Sequence, residues 1–213
     1  MTKRTVAITG MGAISPLGFT VASTWEALLA GKTGLGRISR FDASAYRCQV
    51  AAEVKDFEAT EATTGVDDKT LKQCDRFIQF GLAATWEAMG QAGLHNLKSQ
   101  PASVRERVGV MLSSGIGGIE TLEDAVNTLT AKGPSKVPPR AMVRMLINSL
   151  PGQVTLQYGA LGMNYSIVSA CASSTHALGL AKEKIEAGKA DIIIAGGAEA
   201  SITPLGIGTF AAM

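Results

Sequence analysis

Histidine and cysteine are scarce in this chain, with 2 and 3 copies in 213 residues. Cys48, Cys74 and Cys171 share no CxxC spacing, and only His95 and His176 stand ready to complete a ligand set, so no metal site is expected and no cofactor is implied. The opening residues do not read as a secretory leader, which makes a reducing cytoplasm the expected setting. Long apolar runs are missing as well. Ile192-Ile193-Ile194-Ala195 is strand-length and falls far short of the roughly 20 residues of a membrane span, so no membrane partner is expected. Nor does one sign of charge dominate: 20 basic and 18 acidic side chains leave a formal net charge of +2. They are spread along the chain, which argues against the sustained basic face that nucleic-acid binding requires. Apolar content, by contrast, reaches 46%, enough to fill the core of one substantial domain and too much for disorder.

Strand and helix signals alternate. Thr5 to Gly12 is a continuous apolar run closed by glycines, the pattern of a strand buried on both faces of a parallel sheet. Ser15-Pro16-Leu17-Gly18 turns the chain, and Thr20 to Ala30 carries helical spacing ending at Gly31. Residues 32 to 70 suggest no core, and Thr60 to Asp68 has the composition of a surface loop. A helix is predicted over Phe77 to Ala92, a buried strand over Val108 to Leu112, and a glycine-rich turn, Ser113 to Gly118, before a helix from about Ile119. The prolines of Lys132 to Arg140 interrupt regular structure. Met142 to Tyr158 is helical with a break at Pro151. Tyr165 to Ser169 reads as a strand, Ala172 to Ala187 as a helix and Asp191 to Gly197 as a further strand. Such alternation implies a layered α/β sheet with right-handed crossovers. The apolar ending, Thr209 to Met213, lacks a solvated taper, and the next segment is expected to pack beside it.

Chemistry concentrates at Ser166-Ile167-Val168-Ser169-Ala170-Cys171-Ala172-Ser173-Ser174-Thr175-His176, where a β-branched run ends at one cysteine and small residues open a helix. A thiol at a helix N-terminus meets unpaired N–H groups and the positive end of the peptide dipoles, which favour thiolate. Cys171 therefore reads as a nucleophile. It reads equally well as a small buried core residue, since free cysteine is among the most buried types. Gly115-Ile116-Gly117-Gly118 lacks the Lys-Ser/Thr of a phosphate-binding loop and the full dinucleotide fingerprint, so it is not taken as a nucleotide cradle.

Five blocks in order resemble the amino-terminal half of the elongating, type II β-ketoacyl-[acyl-carrier-protein] synthases, a branch of the thiolase-like superfamily. They are Val6 to Gly12 with Ser15-Pro16-Leu17-Gly18; Asp75 to Phe80; Gly115 to Gly118; Ser169 to Gly179; and Ala195 to Glu199 with Thr203 to Gly206. The resemblance spans nearly all 213 residues and favours the nucleophile reading of Cys171. It implies the amino-terminal half of a duplicated αβαβα architecture with a mainly parallel central sheet, residues 1–213 forming one such domain with the carboxy-terminal half absent. The implied activity is a decarboxylative Claisen condensation of type II fatty acid biosynthesis. Cys171 would hold the acyl thioester, with its own N–H as an oxyanion donor. Two histidines and a lysine that assist decarboxylation would lie in the carboxy-terminal half. His176, five residues past Cys171 in one helix, points off the nucleophile's face and is read as structural; His95 is assigned no role.

By the same resemblance Ile116, Gly206 and Phe210 would line the acyl pocket, although all three also fit an ordinary core. Lys69, Lys72 and Lys136 would dock an acidic acyl carrier protein, although isolated lysines are equally well mere solvated charge. Gln73 and Ser135 stand where relatives commonly carry basic residues, and Pro139-Arg140-Ala141-Met142 replaces aromatics that usually reach across a dimer, leaving the preferred chain length open. A homodimer is implied, with Phe77 to Ala92 and the strand before Cys171 apolar on more than one side. A polyketide ketosynthase uses the same nucleophile. A non-catalytic chain-length partner is a further reading, against which the retained Cys171 counts.

Overall fold

The computed structural model describes residues 4–213. In chain order the elements are α1 (Val21–Leu29), a hairpin of β1 (Leu35–Arg37) and β2 (Val50–Ala52), α2 (Glu61–Thr64), α3 (Asp68–Leu71), α4 (Arg76–Gln91), α5 (Ala102–Arg105), β3 (Val108–Ser113), α6 (Ile119–Lys132), α7 (Ala141–Met145), α8 (Ser149–Tyr158), α9 (Ser173–Glu186), β4 (Ile192–Gly197) and α10 (Pro204–Ala212). β3 and β4 pair in parallel, from Val108 opposite Ile192 to Ser113 opposite Gly197.

All of β3 is buried, because both of its faces are covered. Its alternate side chains Val108, Val110 and Leu112 pack with Phe77, Ile78 and Leu82 of α4 and with Leu150 and Val154 of α8. Met111 points the other way, to Ala177 and Ala181 of α9. β4 repeats the alternation, with Ile192 and Ile194 on the α4 side and Ile193 and Ala195 on the α9 side. This period of two is what sorts a continuous apolar run into two cores. The result is a helix–sheet–helix layering, as the sequence predicts, with α9 laid against the strands whose ends flank Cys171.

Several boundaries depart from expectation. Thr5 to Gly12 does not form a strand; it runs along α4, with Gly10 and Gly12 against the carbonyls of Ala88 and Ala84. The N–H groups of Met11 and Ala13 donate to the side chains of Gln91 and Glu87, and Ile8 is 81% exposed. Side-chain acceptors on a neighbouring helix have replaced a ladder, which residue patterning does not reveal. Tyr165 to Ser169 is likewise not a strand. A single bridge joins Asn164 to Val110, after which hydroxyls take over: Ser166 donates to the Leu112 carbonyl, and Ser113 accepts from the Ile167 N–H.

Residues 32 to 70 do contribute core. Phe57 packs on Phe80 with ring centroids 5.7 Å apart, and the buried carboxylate of Glu53 accepts N–H bonds from Ser39 and Arg40. Within the presumed loop, Thr60 and Thr63 form a capping box that opens α2. The helical break comes at residues 146–148 rather than at Pro151, which is tolerated in the first turn of α8, where a missing N–H costs little.

Candidate active site

Cys171 is exposed and lies in a single 3₁₀ turn, Ala170–Ala172, that feeds α9. The turn is entered through Ala170 at φ +51°, a left-handed conformation costing an L-residue on the order of 1–2 kcal/mol. Ser173 stabilises the bend: its hydroxyl donates to the Ala170 carbonyl at 2.7 Å and accepts the Ser169 N–H at 2.9 Å. Ser169 Oγ in turn lies 2.6 Å from His176 Nδ1. Among the described residues no acceptor takes up the Cys171 N–H, leaving it free to face a developing oxyanion. The turn leads directly into a 14-residue helix, whose opening N–H groups have no side-chain cap.

The three thiols are not alike. Cys74 is buried, and burial pushes its thiol up to about 11, whereas Cys48 is partly covered and donates to the Val50 carbonyl. Of the three, Cys171 alone is exposed, so the buried-core reading of this residue does not hold. His176 is exposed rather than part of a core, and its ring is tied to the chain two residues before the nucleophile. The His95 ring packs on Trp86 with centroids 3.8 Å apart.

Ile116 is 42% exposed on the turn that opens α6. That turn is held by Glu199, just beyond β4, whose Oε2 accepts the N–H groups of Gly115 at 2.8 Å and Ile116 at 3.1 Å. α10, which carries Gly206 and Phe210, packs on α6, and the Leu205 N–H donates to the Glu123 carboxylate of that helix. Gly206 is buried, and a Cβ there would stand 2.1 Å from the Ser201 carbonyl oxygen, so a close backbone approach already demands glycine. Phe210, one turn later, is 56% exposed. A cavity of about 440 Å³ lies under Phe19, Phe57 and Trp86, and one of about 180 Å³ lies between Arg40, Arg76 and Glu199; Cys171 lines neither.

The candidate docking lysines are all exposed. Lys69 and Lys72 stand at α3, shortly before Asp75, whose carboxylate accepts the Thr121 N–H at the start of α6. Lys136 follows the opposite end of that helix, whose 14 residues span about 20 Å.

Sequence reasoning singled out Cys171 but not the residues that shape its turn. Ser169, Ser173 and Glu199 all fall inside matched blocks; what spacing could not show is that Glu199 reaches back 83 residues to Ile116.

Fold and site together define a layered α/β protein with a parallel pair of strands, presenting an exposed thiol on a strained turn before a helix. Residues 3–213 match the family model described as "Beta-ketoacyl synthase, N-terminal domain", and the chain belongs to that family. It is 43% identical over 214 aligned positions to 3-oxoacyl-[acyl-carrier-protein] synthase 2 of Coxiella burnetii, covering 100% of this chain and 50% of the relative. The protein of the same name from Vibrio harveyi is 40% identical, with 100% and 49% covered. The chain thus spans about half the length of the curated relatives it matches. Among solved structures, the ishigamide ketosynthase/chain length factor superposes with a TM-score of 0.86 at 26% identity, over 99% of this chain and 51% of that one. A β-ketoacyl synthase from Burkholderia phymatum gives 0.81 at 27%, over 99% and 50%. The thiolase-like fold expected from the sequence is therefore confirmed.

Proposed function

We propose that this chain supplies the acyl-accepting half of a 3-oxoacyl-[acyl-carrier-protein] synthase of type II fatty acid biosynthesis. The observation that carries the reading is Cys171 itself, exposed on a turn that leaves its N–H unpaired, in a chain of this family. The Cys171 sulfur attacks the carbonyl carbon of an acyl-carrier thioester, the oxyanion forms against the Cys171 N–H, and the carrier thiolate leaves and is protonated. Malonyl-carrier then loses carbon dioxide, and the resulting carbanion attacks the Cys171 thioester. That step expels the Cys171 thiolate and releases 3-oxoacyl-carrier. No cofactor enters this chemistry.

Relatives at 43% and 40% identity are named for synthesis on an acyl carrier protein, whereas the ketosynthase/chain length factor stands at 26%, which favours fatty acid over polyketide synthesis. A solved neighbour is described as a type II polyketide synthase acyl-carrier protein in complex with its ketosynthase. It is only 23% identical, so it bears on the fold and leaves the carrier-docking role of Lys69, Lys72 and Lys136 to experiment. Ile116, Gly206 and Phe210 are proposed to wall the acyl chain, and the cytoplasm is the proposed location. Among the described residues no helix is long and apolar enough to cross a membrane.

Decarboxylation needs groups that 1–213 does not place beside Cys171: His176 is held by Ser169 and His95 by Trp86. We assign those groups to the other half of the synthase. Residues 1–213 alone, given acyl- and malonyl-carrier, are expected to accept the acyl group slowly and to make no carbon–carbon bond. Turnover to 3-oxoacyl-carrier by 1–213 alone would overturn this assignment.

A further inference from the structure

We propose that Glu199 is a positioning residue that fixes the acyl-facing turn 114–118 and, through it, the peptide that precedes the nucleophile; the proposal rests on the acyl-thioester reading of Cys171. One carboxylate oxygen, Oε2, accepts two successive N–H groups, Gly115 at 2.8 Å and Ile116 at 3.1 Å. The other, Oε1, accepts the Ser201 hydroxyl at 2.9 Å, which orients the carboxylate plane. Successive N–H groups converging on one oxygen make a concave donor pair that a carboxylate fills well.

What Glu199 holds is pressed against the nucleophile's own loop. A Cβ on Gly115 would stand 3.0 Å from Glu199 Oε2, 3.3 Å from the Ala170 carbonyl oxygen and 3.4 Å from its carbon. On the side where a Cβ would stand, Gly115 thus faces both the carboxylate and the left-handed residue that aims Cys171. Ile116, the next residue, projects from the same fixed turn. Glu199 touches neither sulfur nor acyl chain. It sets the backbone from which Ile116 meets the chain and against which Ala170 leans. Release of the turn should alter the discrimination between acyl chains more than the intrinsic reactivity of the thiol.

The test uses the full-length synthase, loaded with octanoyl- and hexadecanoyl-carrier in parallel, comparing the parent with Glu199→Ala, Glu199→Asp and Glu199→Gln. Glutamine keeps an acceptor oxygen at the same reach, whereas aspartate falls short by one carbon. Glu199→Ala and Glu199→Asp are expected to change the ratio of the two acylation efficiencies roughly tenfold, about the worth of one hydrogen bond. Glu199→Gln should stay near the parent ratio. Amide exchange over 114–118 should speed up in the first two variants and not in the third, a readout independent of catalysis that also shows whether each variant is folded. A parent ratio and parent exchange in Glu199→Ala overturn the proposal. Glu199→Gln as impaired as Glu199→Ala, with a displaced pH profile for alkylation of Cys171, also overturns it, since charge on the sulfur would then be the cause. If the parent itself takes neither acyl group at Cys171, the failure lies with the thioester reading, and the exchange data still judge the role of Glu199 in holding the turn.

Discussion

Asp191 stands where the chain enters β4, and two guanidinium groups converge on it: Arg107 Nε at 3.0 Å and Nη2 at 2.9 Å, and Arg4 Nη1 at 2.9 Å. Hydrogen bonds from Arg107, then from Arg4, hold its carboxyl down to about 2. Because the folded value lies below the ordinary 3.8, the contribution to stability is present above pH 4 and is lost as pH falls toward 2. All three side chains are substantially exposed, so the effect is modest and weakens in salt. Asp191→Asn is expected to melt below the parent at pH 7, and thermal melts should show the gap closing between about pH 4 and pH 2. A gap independent of pH would mean that the carboxylate charge is not what matters there. At this scale the sequence was most informative about type and least about partnership. A lone cysteine among small residues announces Cys171, but nothing in spacing links Glu199 to Ile116 or His176 to Ser169.

At the scale of elements, legibility followed how much of the pattern was carried by the element's own side chains. α4 and β3 show their periods plainly because most of their apolar residues enter cores within the chain. Thr5 to Gly12 and Tyr165 to Ser169 have the composition of strands, yet side chains stand in for a ladder: Gln91 and Glu87 accept the Met11 and Ala13 N–H groups, Ser113 accepts the Ile167 N–H, and Ser166 donates to the Leu112 carbonyl of β3. α10 escaped notice because its glycines mimic a loop, although Thr203 caps it and Pro204 occupies its first position. α3 and its C-cap carry two of the residues proposed above for carrier docking. Its Lys69 and the adjacent Lys72 are exposed and project no ion pair among the described residues, a disposition suited to an acidic carrier. Reversal of both to Glu should weaken carrier binding several-fold at low salt, with the difference shrinking as salt rises. Titration of apo-carrier by calorimetry reads this directly, and equal affinity at low salt would remove α3 from the docking surface.

At the scale of the whole molecule, the apolar sides of α4 are taken up within the chain. Phe77, Ile78 and Leu82 are buried within the chain. The run before Cys171 remains a candidate dimer face, since beyond the bridge at Asn164 it lies at the outer margin of β3, with Val168 58% exposed and Leu178 of α9 54% exposed nearby in sequence. A homodimer formed along this margin is proposed. Sedimentation of the full-length protein should give twice the chain mass, and Val168→Asp should shift it toward monomer; a monomeric parent would contradict the arrangement.

The central claim is that one exposed sulfur, set on a bent turn ahead of α9, takes the acyl chain. Intact-mass analysis after incubation with hexadecanoyl-carrier tests it most directly, comparing the parent with Cys171→Ala. The expected result is one acyl adduct on the parent and none on the variant, with no label on Cys74, whose buried thiol is pushed up to about 11. An adduct that persists in Cys171→Ala, or its appearance on Cys48 or Cys74 as readily as on Cys171, would contradict the account.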